Sequence, residues 1–400
     1  MVMRISTSAM HDLAVTAMLR QQSLLAKTQN QIATGKRVQT PADDPVAAAQ
    51  LYELTRSQSQ VDQYGYNSIA VTGRLQLEEQ ALADSTTVLQ RVRELVLQAN
   101  TATLTDSDRQ AIATELRARG GELQGIANRK DGNGDYLFAG FAAATQPFAR
   151  DGSGRMAYLG DAGQRQLQVD DTQFVADSDA GSAVFGDIRA GNGTFTTAAA
   201  AGNTGSGVLD TGSITDRTQW IGDTYTLAFT TPTTWQVTDS GGNTVAGGNY
   251  VDGGTIAFRG AQVSISGVPA AGDSYTLAAA GTQDVFATLD QLASALVAGA
   301  GNDAGRARLA TSLNASLQQI DQAMEHFSTV RATVGARLSL LTDAESARQG
   351  RSADLTTAVS NLQDLDYAAA VSRMNQQYVS LQAAQQSYAS IAKLSLFNYL

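Results

Sequence analysis

Cysteine is absent from these 400 residues, which removes disulfides, thiolate metal ligands and thiol nucleophiles together. Such a chain suits a protein that crosses a membrane unfolded and refolds outside, where stray thiols would mispair. Histidine occurs only at His11 and His326, each isolated on a helical stretch, so a His-rich metal site is excluded. Charged residues make up 16% and aromatics 6%, and the net charge of −10 is the wrong sign for displacing counterions from a nucleic acid. Long apolar runs are missing too: no eighteen consecutive apolar residues occur, so no membrane insertion is expected. Residues 1–34 scatter Arg4, Asp12, Arg20 and Lys27 among Ser, Thr and Gln, which leaves no apolar h-region. Any export is therefore expected to proceed without a cleaved signal peptide.

Catalytic signatures are equally scarce. Gly35-Lys36 lacks the earlier Gly and the following Ser or Thr of a phosphate loop, and no Gly-x-Ser-x-Gly elbow exists. Asp131-Gly-Asn-Gly-Asp135 resembles a calcium loop only at its start, because Tyr136 stands where Gly is required and Ala142 where a bidentate Glu is required. It reads as a turn. No catalytic residue, cofactor or metal site is expected, and the chain reads as a structural protein and not an enzyme.

What the chain does contain is unevenly spread. Its eight Glu fall at 53–122, 325 and 345, and none lies between Ala142 and Val285. That interval has fourteen Asp, six Arg, no Lys, both Trp and most of the Gly. Glu favours helix, whereas Asp and Gly favour turns, so helical flanks should enclose a strand-and-turn middle. A seven-residue ladder supports this: Leu54, Val61, Ser68, Leu75, Leu82, Leu89 and Val96, with Tyr64, Val71, Glu78, Ser85, Val92 and Ala99 as companions. Asp44 can cap that helix, with Pro45 in its first position. A third helix should follow Thr105, whose spacing to Asp108 resembles a capping box, and run to about Arg129. The C-terminal flank repeats the theme with Leu313, Ile320, Phe327, Val334, Leu341, Arg348, Leu355 and Leu362, partly completed by Leu317, Met324, Leu338 and Val359.

The register slips at Gln363 to Asp366, which predicts a change of partner. Beyond it Tyr367, Val371, Met374, Tyr378, Leu381, Gln385, Tyr388 and Ala392 begin a new series. Near the other end Ala14, Met18, Gln21, Leu25, Thr28 and Ile32 give a matching but polar stripe, too poor to hold a lone helix. Two readings fit: the stripes pair within one chain, or they order only when many subunits pack together.

The middle, 141–284, reads as β. Short alternating runs such as Tyr225–Phe229, Trp235–Thr238, Thr255–Phe258, Val263–Ser266 and Tyr275–Leu277 are separated by Gly-containing turns. The Ala198–Gly207 stretch looks like a linker dividing this region into 141–193 and 194–284. The whole insertion is expected to fold on its own core.

The motifs Met3-Arg-Ile-Ser-Thr7, Ile32-Ala-Thr-Gly-Lys-Arg-Val38, Pro41-Ala-Asp-Asp-Pro-Val46 and Asp131-Gly-Asn-Gly-Asp-Tyr-Leu-Phe-Ala-Gly140 resemble those of the bacterial flagellin family. Leu394-Ser-Leu-Phe-Asn-Tyr-Leu400, preceded by Asp364-Leu-Asp-Tyr-Ala368, is more similar to its hook-associated branch than to flagellin itself. The likeness covers about 1–190 and 285–400, and 194–284 resembles an extra β module of some hook-associated proteins. The resemblance implies a mainly α fold with a β insertion. The termini (1–44 and 363–400) would form a coiled-coil tube, 45–140 with 285–362 an antiparallel helical rod, and 141–284 an outer β domain. It also implies a secreted flagellar subunit in a helical ring, joining hook to filament. The partners would be a neighbouring hook-associated protein and flagellin, with a cytoplasmic export chaperone at the C-terminal helix. Assembly residues would be Ala14, Met18, Leu25 and Ile32, then Tyr367, Val371, Met374, Tyr378, Leu381 and Tyr388, and finally Leu394, Leu396, Phe397 and Tyr399. The alternatives are flagellin itself and an exported adhesin whose β domain binds glycan through Trp220 and Trp235.

Overall fold

The computed structural model describes residues 7–101, 104–298 and 301–397. Six helices flank a β-rich middle: α1 (Thr7–Thr34), α2 (Pro45–Ala99), α3 (Asp106–Ala127), α4 (Val285–Ala298), α5 (Asp303–Gln363) and α6 (Tyr367–Phe397). The chain is thus mainly α with a central β insertion, as its composition implies. It divides into two compact units, Met1–Tyr66 with Ala344–Leu400, and Asn67–Asp343.

Helix boundaries follow local chemistry. The Asp44 carboxylate accepts from the Ala47 N–H at 3.0 Å, capping α2 where Pro45 has no N–H to satisfy. At α3 the Thr105 hydroxyl and the Asp108 carboxylate cap each other's N–H groups. In the 67–343 unit α2 and α5 run antiparallel, with Arg93–Asp321 at 2.7 Å and Arg331–Glu79 at 2.6 Å. Both α2 ladders turn inward there: Val71, Leu75, Leu82, Leu89, Val92 and Val96 are fully buried, and so are the polar Glu78 and Ser85.

The core differs from expectation in one respect. The cluster formed by α2, α3, α4 and α5 also takes in Phe148, Val169, Val175, Val184, Phe185 and Ile188 from the first β piece. Phe185, on a single π turn (Ser182–Gly186), meets Phe138, Phe148 and Phe327 edge-on at 5.2, 5.4 and 5.5 Å between ring centroids. Residues up to about 190 therefore finish the helical bundle's core instead of folding apart from it.

Only the second β piece has its own core. Five antiparallel strands lie in the order Thr244–Asn249, Thr234–Thr238, Tyr225–Thr231, Ser274–Ala279, Phe195–Ala199. A second sheet centres on Ala261–Ser266. Phe195, Leu209, Tyr225, Leu227, Phe229, Ile265 and Tyr275 fill the space between, with Trp220 and Trp235 packed against them. The supposed linker is not one. Its first residues, Ala198 and Ala199, complete the strand paired with Ser274–Ala279. After it the buried Asn203 and Asp273 lock the turn, through Ser274 N–H to Asn203 Oδ1 and Thr204 N–H to Asp273 Oδ1, both 2.8 Å. Edge pairing uses the backbone, so small side chains did not prevent it.

The hairpin joining Thr255–Phe258 to Ala261–Ser266 turns through Arg259 and Gly260, with φ of 46° and 75°. This handedness matches the strand twist, but it suits Asn or Gly at the first position and costs a Cβ-bearing residue roughly 1 kcal/mol. Arg259→Asn should raise stability by about 0.5–1 kcal/mol, read as a higher thermal midpoint.

Candidate assembly surface

The terminal unit is built on one helix pair. α1 and α6 run antiparallel, as shown by the His11–Tyr388 ring contact at 5.5 Å and by Gln21 Nε2 donating to the Gln377 carbonyl at 3.2 Å. On α1 the residues turned inward are His11, Ala14, Met18, Gln21, Leu25, Thr28, Gln31 and Ile32, the stripe read from spacing plus His11 and Gln31. On α6 they are Ala370, Met374, Gln377, Leu381, Ala384 and Tyr388. Met374, Leu381 and Tyr388 were anticipated, whereas Tyr367, Val371 and Tyr378 are exposed at 53%, 42% and 60%. Against α1 the places of Val371 and Tyr378 go to small or polar residues one position earlier, Ala370 and Gln377, and that of Gln385 goes to Ala384. Small residues let the helices approach closely, a signal that a search for large apolar side chains passes over. The side chains of Leu394, Leu396 and Phe397, and all of Tyr399, lie outside the described residues.

The pair is weak by construction. Three of its inward positions are Gln, one is Thr, and the Gln377 Oε1 is buried without a partner. Outside the seam, Leu13, Leu19 and Leu24 on α1 and Val371, Tyr378 and Val379 on α6 are exposed. Surface apolar residues are common singly, but this many on one helix pair leaves a face uncovered.

Between the helices a turn of polar contacts fixes how α1 and α6 meet. Gly35 adopts φ of 70°, and a Cβ there would sit 2.8 Å from the Tyr367 hydroxyl, so this position requires glycine. Arg37 pairs with Asp44 at 3.2 Å and donates to the Leu362 carbonyl at 2.7 Å. The Lys27 ammonium, 2.7 Å from Asp43, joins the Thr40 and Gln39 N–H groups in holding that carboxyl far below the usual range. Val38, Ala47 and Leu51 form a small core beside it with Val359 and Leu362. The Asp131 turn is closed by its own contacts: its carboxylate accepts from Asn133 N–H at 2.8 Å and pairs with Arg74.

Comparison with known proteins follows the same division. Residues 5–143 match the bacterial flagellin N-terminal helical region, 317–400 the C-terminal helical region, and 198–279 a D2-like domain of flagellar hook-associated protein 1. The flagellar hook-associated protein 3 of Escherichia coli is 28% identical over 396 residues, 99% of each chain. The crystal structure of Xanthomonas campestris FlgL is 37% identical with a TM-score of 0.72, covering 77% of this chain and 99% of that one. The chain belongs to the FlgL, or hook-associated protein 3, family. Escherichia coli flagellin, by contrast, is 27% identical over 135 residues, 34% of this chain and 27% of that one. These relatives are flagellar structural proteins. Among the described residues no helix is long and apolar enough to cross a membrane.

Proposed function

We propose that this chain is a structural subunit of the bacterial flagellum that forms the junction between hook and filament, polymerising through its terminal helices. The observation that carries this reading is the end-to-end match to hook-associated protein 3, against a flagellin match confined to about a third of the chain. Flagellin is the runner-up on the shared terminal regions. The glycan-binding alternative has less to support it, since both Trp, partly buried, pack against the β module's core.

The terminal segments supply the assembly surface and act in two ways. Ala14, Met18, Leu25, Ile32, Met374, Leu381 and Tyr388 hold α1 to α6, while Tyr367, Val371 and Tyr378 face the neighbouring copy in a helical ring. By the family resemblance, Leu394, Leu396, Phe397 and Tyr399 are further assembly residues. What supports this is the exposed stripe beside a seam too polar to need it. The same stripe requires shielding before assembly, which suits a cytoplasmic chaperone on the C-terminal helix and export through the flagellum's own channel. Once outside, the subunit sits between another hook-associated protein and flagellin.

Deleting the gene in the source bacterium and imaging the cells tests the junction role. Hooks without filaments, with flagellin released into the medium, are expected. Normal filaments would overturn it. A narrower test is Tyr378→Asp, which adds a charge where the monomer is open to solvent. Monomer helicity and thermal midpoint should stay within error while swimming is lost. Retained swimming would remove Tyr378 from the subunit contact.

A further inference from the structure

One fully buried position on the α2 ladder carries an ionisable side chain. Glu78 is 0% exposed and sits among three guanidinium groups and three aspartates. Arg74, one turn earlier on α2, pairs with Asp131 and lies 3.1 Å from Asp177 through Nε. Arg165, entering the strand Gln166–Asp170, donates to Asp177 Oδ2 at 2.7 Å through Nε. Arg337 on α5 reaches Asp179 Oδ1 at 2.9 Å, and Gln164 Nε2 shares that oxygen. Glu78 itself accepts from the Asp179 N–H at 3.1 Å through Oε1, while its Oε2 and the Arg337 Nη1 are buried with no partner.

Formal charge decides what Glu78 must be. Arg74, Arg165 and Arg337 balance Asp131, Asp177 and Asp179, and each aspartate accepts from a guanidinium. Glu78 is the carboxyl left over. A second negative charge beside Asp179, fully buried and without a cation of its own, is strongly disfavoured against the neutral acid.

We propose that Glu78 is carried as a neutral carboxylic acid, and that it forms a proton-dependent latch holding the segment 177–179 against α2 and α5. The contacts converge on the stretch that leads into the π turn bearing Phe185, so the latch controls how firmly the first β piece is fastened to the helical bundle. Burial, reinforced by the Asp179 carboxylate, raises the Glu78 carboxyl from its ordinary value to about 8, while the Asp179 N–H, Arg337 and Arg74 pull it back.

The sign follows from linkage. In the latched form the proton stays on until about pH 8; in an opened form, with Glu78 hydrated, it leaves near the ordinary carboxyl value. Latching is therefore strongest in acid and weakens tenfold per pH unit between those limits. Arg74 on α2, Arg337 on α5, Asp177 and Asp179 on the segment, Arg165 beside the strand and Asp131 on its turn are the charged groups around it.

Hydrogen exchange on the full-length monomer between pH 5.5 and 7.5 reads the latch directly, because the Asp179 amide donates to Glu78. Its exchange in the wild type should rise about a hundredfold per pH unit: tenfold from base catalysis and tenfold from opening. In Glu78→Gln it should rise only tenfold. A tenfold slope in the wild type would overturn the proposal. The charge balance has a test independent of stability, the infrared carbonyl band of a protonated carboxylic acid at neutral pH. The wild type should show it and Glu78→Gln should lack it. Asp179→Asn should lack it as well, because removing one aspartate leaves Arg337 for Glu78 to ionise against. A wild type without the band, or an Asp179→Asn protein that keeps it, would refute the assignment.

Discussion

Replacing residues 141–282 with a short Gly/Ser linker is expected to unfold the helical bundle, whereas replacing only 194–280 should leave it folded. The longer excision removes Phe148, Val169, Val175, Val184, Phe185 and Ile188, each 4% exposed or less in the cluster they share with the helices. Truncating one buried Phe costs roughly 3–5 kcal/mol, and domains have about 5–15 kcal/mol in total. Loss of the two Phe alone approaches that limit, and Phe138, Phe286 and Phe327 would face water. The shorter excision removes the module whose core is its own. Its ends are already neighbours: Arg189 pairs with Thr282, and the Ala280 N–H donates to the Thr194 carbonyl at 2.9 Å. A few residues close that gap at small entropic cost. Circular dichroism melts of the two purified variants separate the cases. The short variant should melt cooperatively near the wild-type midpoint, and the long one should show no cooperative transition. A cooperative melt of the long variant would mean the helices close their core without the first β piece.

That division was only half visible beforehand, and the reasons are physical. The α2 ladder could be read because each turn of a long helix repeats the same inward face, so a fixed spacing carries the signal. The starts of α2 and α3 were equally plain, since Asp44 with Pro45 and Thr105 with Asp108 act within four residues of where they stand. Phe148, Val175 and Phe185 gave no such cue: each sits in an element of five residues or fewer, too short to show a period, and packs in a core shared with helices. The strand Phe195–Ala199 was missed because its pairing is between backbones and its Ala side chains resemble a linker. On α6, Ala370, Gln377 and Ala384 carry the right period but not the size that a hydrophobic stripe leads one to seek. The Glu78 cluster was present only as an oddity, one acid in an apolar ladder, until Asp131, Asp177 and Asp179 arrived around it from two other stretches of chain.

Leu381→Asp and Leu25→Asp should each abolish assembly by a different route from Tyr378→Asp. Both leucines are half-buried in the α1–α6 seam, so the new carboxylate enters a contact that already exists in the monomer. The inward positions that flank them along the two helices are Gln, Thr, Ala and Met, none of which carries a charge to offset it. Leaving a charge unpaired in a packed interface costs several kcal/mol, about 3–5 where it is fully buried. The seam has little to set against that, because its polar positions forgo most of the apolar burial that stabilises a helix pair of this length. The helices should come apart while the 67–343 unit, with cores of its own, stays folded. Two measurements on each variant distinguish this from general unfolding. Amide exchange across 10–34 and 367–390 should become fast while that of α3 and the β module is unchanged. The cells carrying the variant should secrete the protein yet fail to swim. If both variants keep α1 and α6 protected and the cells swim normally, these leucines do not hold the pair that assembly requires. Loss of protection with normal swimming would show instead that the pair re-forms from neighbouring copies, and that the ring tolerates a charge the monomer does not.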